Sequence, residues 1–141
     1  MKRLVLAACL VLAPAAVQAQ TPAEGADIVF TFETGARTGA VMVALFDSEE
    51  SYDAGQAVRG LAVDVATGQT EATFRGLPAG DYAMRAFHDV NGDGQMNTNP
   101  FGMPVEPYAF SNNARGNMGP ASWDRASFSA SGTTTQSITI R

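Results

Sequence analysis

From residue 27 onward apolar residues recur at every second position, and this period constrains the fold more than any other feature of the chain. Ile28, Phe30 and Phe32 share one face of an extended segment, with Asp27, Val29, Thr31 and Glu33 on the other. That alternation marks a half-buried strand and is out of phase with a helix of 3.6 residues per turn. A turn over residues 35–39, glycine at both ends, leads into residues 40–46, which are almost all apolar, as in a strand covered on both faces. The two segments read as a hairpin.

Residues 47–56 are polar, and Asp47 or Ser48 suits the N-cap of one short helical turn that Gly55 would end. Further strands are expected over 57–65 and 70–74, joined by a turn that holds Gly68. Leu77-Pro78-Ala79-Gly80 makes a corner, after which Tyr82, Met84 and Ala86 alternate with Ala83, Arg85 and Phe87. Over 89–122 glycine, asparagine and proline replace the period, and two last strands follow near 126–130 and 134–140. About seven short strands with almost no helical period predict an all-β fold. We expect an immunoglobulin-like or transthyretin-like two-sheet sandwich with one long irregular loop at 89–122. Loops of this length inside compact domains are functional or disordered, and the aromatics and prolines of this one argue for order.

The N-terminus reads as an export signal. Lys2 and Arg3 precede an apolar run from Leu4 to Val17 broken by Pro14, and Val17-Gln18-Ala19 places small residues at a cleavage site after Ala19. The expected organisation is a signal peptide at 1–19, a short tether at 20–26 and a single β-sandwich domain at 27–141. The run is shorter than a membrane span and carries a proline, so the mature chain is not expected to span a membrane. A competing lipoprotein pattern, Leu6-Ala7-Ala8-Cys9, has only Leu4 to Ala8 before its cysteine, too short for an apolar core segment. The expected location is therefore periplasmic or secreted. Cys9 is the only cysteine, so cleavage leaves no disulfide, thiolate ligand or thiol nucleophile. The leader also takes the single lysine, leaving seven scattered arginines against 14 acidic residues. Without clustered cations, nucleic acid is not an expected partner.

The one motif with specific chemistry opens the long loop. His88-Asp89-Val90-Asn91-Gly92-Asp93-Gly94-Gln95-Met96-Asn97 sets side-chain oxygens at Asp89, Asn91, Asp93 and Asn97, and the Gln95 carbonyl fills the next position. Alternate spacing with a turn glycine is how a curled loop brings hard oxygen ligands to calcium. The expected metal set is Asp89, Asn91, Asp93, Gln95 and Asn97. Pro100 stands where an EF-hand has its closing glutamate, and the preceding segment is a strand, so the motif is not an EF-hand. With two carboxylates, or three if Glu106 approaches, affinity would be of order 10⁻⁴ to 10⁻³ M. The competing reading is that Asp, Asn and Gly gather here because they make turns, their side chains bonding to the nearby backbone.

Behind this loop come Phe101-Gly102-Met103-Pro104-Val105-Glu106-Pro107-Tyr108-Ala109-Phe110-Ser111-Asn112-Asn113-Ala114 and then Gly116-Asn117-Met118-Gly119-Pro120-Ala121-Ser122-Trp123. Together with His88-Asp89-Val90-Asn91-Gly92-Asp93-Gly94 and the corner running to Asp81-Tyr82, these runs resemble the exported bacterial family called domain of unknown function 2141. The resemblance covers most of the mature chain. Members often carry aspartate where Asn97 stands and glycine where Ala109 stands. It implies an exported β-sandwich with no established biochemical role.

His88 is the only histidine and no Gly-x-Ser-x-Gly elbow accompanies any serine, so serine hydrolysis is not expected and His88 reads as a local hydrogen-bonding group. Tyr108, Phe110 and Trp123, close to Asn112 and Asn113, could form a sugar- or protein-binding surface, but a small core for the loop is the preferred reading. Met96, Met103 and Met118 are read as packing residues ahead of copper ligands. The functional expectation is a non-enzymatic binding or structural module, its partner an envelope protein or glycan. The alternative is a carboxylate-based enzyme acting on envelope glycans through Asp89 or Asp93 with Glu106.

Overall fold

The computed structural model describes residues 25–141. The expected signal peptide and the tether up to residue 24 lie outside the described residues. Ala26, expected in the tether, is instead the fully buried first residue of a strand.

Eight strands form two sheets. In chain order the elements are β1 (Ala26–Glu33), β2 (Ala40–Phe46), α1 (Glu49–Ala54), β3 (Arg59–Asp64), β4 (Glu71–Leu77), β5 (Gly80–Asp89), β6 (Tyr108–Phe110), α2 (Trp123–Ala126), β7 (Phe128–Ala130) and β8 (Gly132–Thr139). One sheet has the order β4-β1-β8, with β1 and β8 parallel. The other has the order β3-β2-β5-β6, with β7 paired to the first residues of β5. The chain is an all-β two-sheet sandwich.

The alternating residues meet between the sheets. Ile28, Phe30 and Phe32 of β1 and Val41, Val43 and Leu45 of β2 are buried in one cluster. Phe30 sits at its centre, edge-on to Phe74 at 6.3 Å and to Phe128 at 5.9 Å, and burying such a ring stabilises the fold by about 1.5–3 kcal/mol.

The expected hairpin of the first two strands is not formed. β1 pairs with β4 and β8, whereas β2 pairs with β3 and β5. The connection crosses from one sheet to the other, so the inward faces of β1 and β2 oppose each other across the core. Gly39 ends this crossing at φ 68°, and a Cβ there would come within 1.9 Å of the Asp89 carbonyl oxygen. Only glycine lets the backbone pass the end of β5 this closely.

Two further details extend the expectation. The helical turn after β2 is capped by Ser48, whose Oγ accepts from the Ser51 N–H at 3.2 Å, and closed by Gly55 in the left-handed region. The eighth strand, β6, lies inside the segment expected to be irregular throughout. It adds to the edge of β5, where Ala86 faces Ala109.

The segment after β6 is tied down by asparagine. Asn112 donates from Nδ2 to the carbonyls of Arg125 and Ser127, and Asn113 donates to Ser137 and accepts from the Thr139 N–H. Both residues have positive φ, which asparagine tolerates better than most residues. Their amides are engaged by the backbone and, at Asn112 Oδ1, by the Gln136 side chain. No helix among the described residues is long and apolar enough to cross a membrane.

Candidate functional site

The loop at the end of β5 folds around its own carboxylates. Asp89, 3% exposed, accepts three backbone N–H groups: Gly92 at 2.8 Å and Asp93 at 3.1 Å on Oδ1, Gly94 at 2.7 Å on Oδ2. Gly92 and Gly94 hold positive φ and so turn consecutive N–H groups toward one point. Asp93 accepts the Gln95 N–H on Oδ1, and on Oδ2 the side-chain amides of Asn97 at 2.8 Å and Asn91 at 3.3 Å. Asn91 also donates to Asn97 Oδ1 at 2.9 Å. Glu106, buried, closes the far side by accepting the N–H groups of Val90 and Asn97. The hydrogen bonds from Asn97, then Gln95, hold the Asp93 carboxyl below its ordinary value of 3.8.

Four of the five residues expected to hold calcium therefore do converge by their side chains, while Gln95 contributes its backbone N–H. As arranged, their oxygens face N–H donors. A ring of N–H groups around a carboxylate is the environment that suits an anion, and a cation would have to share oxygens that the loop's own N–H groups already engage. Among the described residues no group of three or more His, Cys, Asp or Glu is arranged to hold a metal. Melting curves in millimolar calcium and in excess chelator are expected to superimpose. A rise of several degrees with calcium would mean that the loop rearranges into a metal site. Acid should loosen the loop: hydrogen bonds that depress the Asp93 pKa add stability above the unfolded-state value and lose it as pH falls through the lower folded-state value.

His88 is fully buried, and its Nε2 lies 2.6 Å from the Thr38 carbonyl oxygen. A carbonyl only accepts, so Nε2 donates to it, while Nδ1 is buried without a hydrogen-bond partner. The sequence reading of a hydrogen-bonding histidine fits this contact, but the partner is not local: Thr38 lies 50 residues away in the chain. Of the carboxylates named for the glycan-cleaving alternative, Asp89 and Glu106 accept backbone N–H groups, and Asp93, which is exposed, accepts from Gln95, Asn91 and Asn97.

A different site lies on the outer face of the larger sheet. Strand register sets two rows of side chains across it: Ala62, Met42, Phe87 and Tyr108 in one, and Gly60, Ala44, Arg85 and Phe110 in the next. Beyond them Phe46 and Ala83 are buried under α1 and α2 in a second cluster with Tyr52, Phe110, Ala121 and Ala126. Tyr52 locks this lid: its ring packs edge-on against Phe46 and Trp123, and its hydroxyl donates to the Ala121 carbonyl at 2.7 Å. Burial pushes its phenol pKa up, and the nearby Arg85 guanidinium offsets part of that rise. Ser111, also fully buried, accepts the Met84 N–H and donates to the Ala126 carbonyl, anchoring β6 and α2 to β5.

Where the lid stops, the rows remain open as a groove of about 1170 Å³. Its floor is Met42, Ala44 and Phe87, and Met96, Met103 and Met118 line it from the long loop. Several loop side chains expected to pack are in fact outside: Met103 is 63% exposed, Met118 is fully exposed and Tyr108 is 41% exposed, and Phe101 beside them is 90% exposed. Of the expected loop core, Phe110 is buried and Trp123 packs against the same cluster. One sign of the groove is present in the sequence: the outward phase of β2 and β5 reads Met42, Ala44, Arg85, Phe87, too apolar for a face left to water.

Fold and site together define a two-sheet β-sandwich protein with an apolar groove on one outer face. The chain belongs to the family described as "Uncharacterized protein conserved in bacteria (DUF2141)", whose sequence model matches residues 33–139. Neither a curated protein nor a solved structure matches the chain.

Proposed function

We propose that this protein is an exported, non-enzymatic binding module that takes up an apolar ligand in the groove between the larger sheet and the 96–120 loop. The signal at residues 1–19 would direct it to the periplasm or outside the cell. The carrying observation is the groove itself, about 1170 Å³ with a floor of Met42, Ala44 and Phe87. Protein pockets for small molecules have this character: concave, mostly apolar and with few polar groups. Methionine at three points of the rim suits a ligand of variable shape, because the thioether side chain is unbranched and polarizable.

The same composition speaks against a glycan, whose hydroxyls would lose water and find few partners. The hydrogen-bonded 89–97 loop is read as the rigid support of the rim, Asn97 preceding the isolated bridge of Thr98 with Pro104.

Titration with the neutral fluorophore N-phenyl-1-naphthylamine tests this reading. Binding should saturate at about one probe per chain, and Ala44→Trp, which fills the floor between Gly60 and Arg85, should weaken it at least about tenfold. Absence of saturable binding, or full binding by a folded Ala44→Trp variant, would remove the groove from the account.

A further inference from the structure

The groove is mostly apolar and carries one charge. Arg85 is the only charged residue that lines it. Its guanidinium carbon lies 3.9 Å from the centroid of the Tyr52 ring and 5.3 Å from that of Phe46, and its Nε is buried with no hydrogen-bond partner. Stacking on two rings fixes the plane of the group and compensates its charge in part, but rings supply no acceptor in that plane. The residues lining the groove include no Asp or Glu. In a chain with 14 acidic residues, a stacked arginine thus lines an apolar groove that no carboxylate side chain of the described residues lines.

We infer that the ligand is a long-chain monocarboxylate, a fatty-acid-type amphiphile, with its carboxylate on the Arg85 guanidinium and its chain along Met42, Phe87 and the loop methionines. This inference rests on the groove reading above and names the ligand class. One guanidinium balances one negative charge, and its planar donors match a carboxylate in two parallel hydrogen bonds. A phosphate dianion would bring a second charge with no second cation in the groove. An apolar peptide ending in a carboxylate fits less well. The floor is the face of a sheet and not a free edge, so the peptide backbone would leave its N–H and C=O groups unpaired. A flexible hydrocarbon chain has no such groups.

The test compares palmitate with hexadecanol, equal in chain length, as competitors of N-phenyl-1-naphthylamine on the purified protein at neutral pH and below the concentrations at which either aggregates. Palmitate should displace the probe at least about tenfold more effectively than the alcohol. Arg85→Met should bring the ratio of the two close to one, and Arg85→Lys, which keeps the charge without the planar fork, should restore part of it. Melting curves of both variants confirm that the ratio is read on folded protein. Equal competition by the acid and the alcohol on the wild type, or a ratio unmoved in Arg85→Met, overturns the carboxylate assignment while leaving the groove in place. Failure of the neutral probe to bind the wild type overturns both. Tighter competition by an apolar peptide with a free C-terminus than by palmitate would also overturn the assignment, transferring the site to a protein partner.

Discussion

Asp89→Ala is expected to lower the stability of the fold by about 3 kcal/mol, because the substitution strands three N–H groups that converge on one buried carboxylate. For a domain of this size that is a fall of about 10 °C in Tm. The estimate is lower than three full charge-assisted bonds would give, since Gly92, Asp93 and Gly94 are exposed and water can take over part of the pairing. Asp89→Asn should recover part of the loss, one amide oxygen remaining as acceptor. The distinguishing feature is that the loss is the same with calcium or chelator present. If Asp89 worked through a bound cation, the wild type and the variant would differ in calcium and coincide in chelator.

Tyr52→Ala should cost about as much or more, about 3–5 kcal/mol, the range for removing a large buried ring. Tyr52 is 1% exposed and joins α1 to Phe46 of the sheet, to Trp123 of α2 and to Arg85. Its loss opens one end of the outer face without touching the cluster between the sheets, so the far-UV circular dichroism of the strands should persist while the urea midpoint falls. Tyr52→Phe keeps the ring and leaves the buried Ala121 carbonyl without its donor, a loss of about 1–3 kcal/mol. A Tyr52→Ala variant within 1 kcal/mol of the wild type would show that the second cluster adds nothing to the fold.

How far the sequence could be read depended on what kind of contact was in question. Ile28, Phe30 and Phe32 announce a buried face because alternation is local, and Ser48 and Gly55 announce a helical turn because caps are local. Pairing partners are not local. The same alternation serves a strand beside its chain neighbour or one across a sandwich, which is why β1 and β2 read as a hairpin although they lie in opposite sheets. The short strand β6 was hidden for a related reason: three residues, Tyr108 to Phe110, are too few to establish a period, and their place on β5 is set by Ser111 and Asn112 bonding to distant backbone.

At the 89–97 loop the residue types were legible and their convergence was real, but oxygen-rich spacing alone does not say whether the oxygens face a cation or the loop's own N–H groups. The groove was the least legible feature. Met96, Met103 and Met118 carry no mark that separates a packed methionine from one on a rim, and Arg85 gains its meaning only from Tyr52, thirty-odd residues away in the chain.

Methionine places the most direct test within reach. Met42, Met96, Met103 and Met118 line the groove, whereas Met84 is fully buried in the core between the sheets. In protein labelled with ¹³C at the methionine methyl groups, titration with N-phenyl-1-naphthylamine should move or broaden the four groove signals together and leave that of Met84 in place. Signals that all stay put while the probe binds, or a response confined to Met84, would contradict a ligand site on the outer face of the larger sheet.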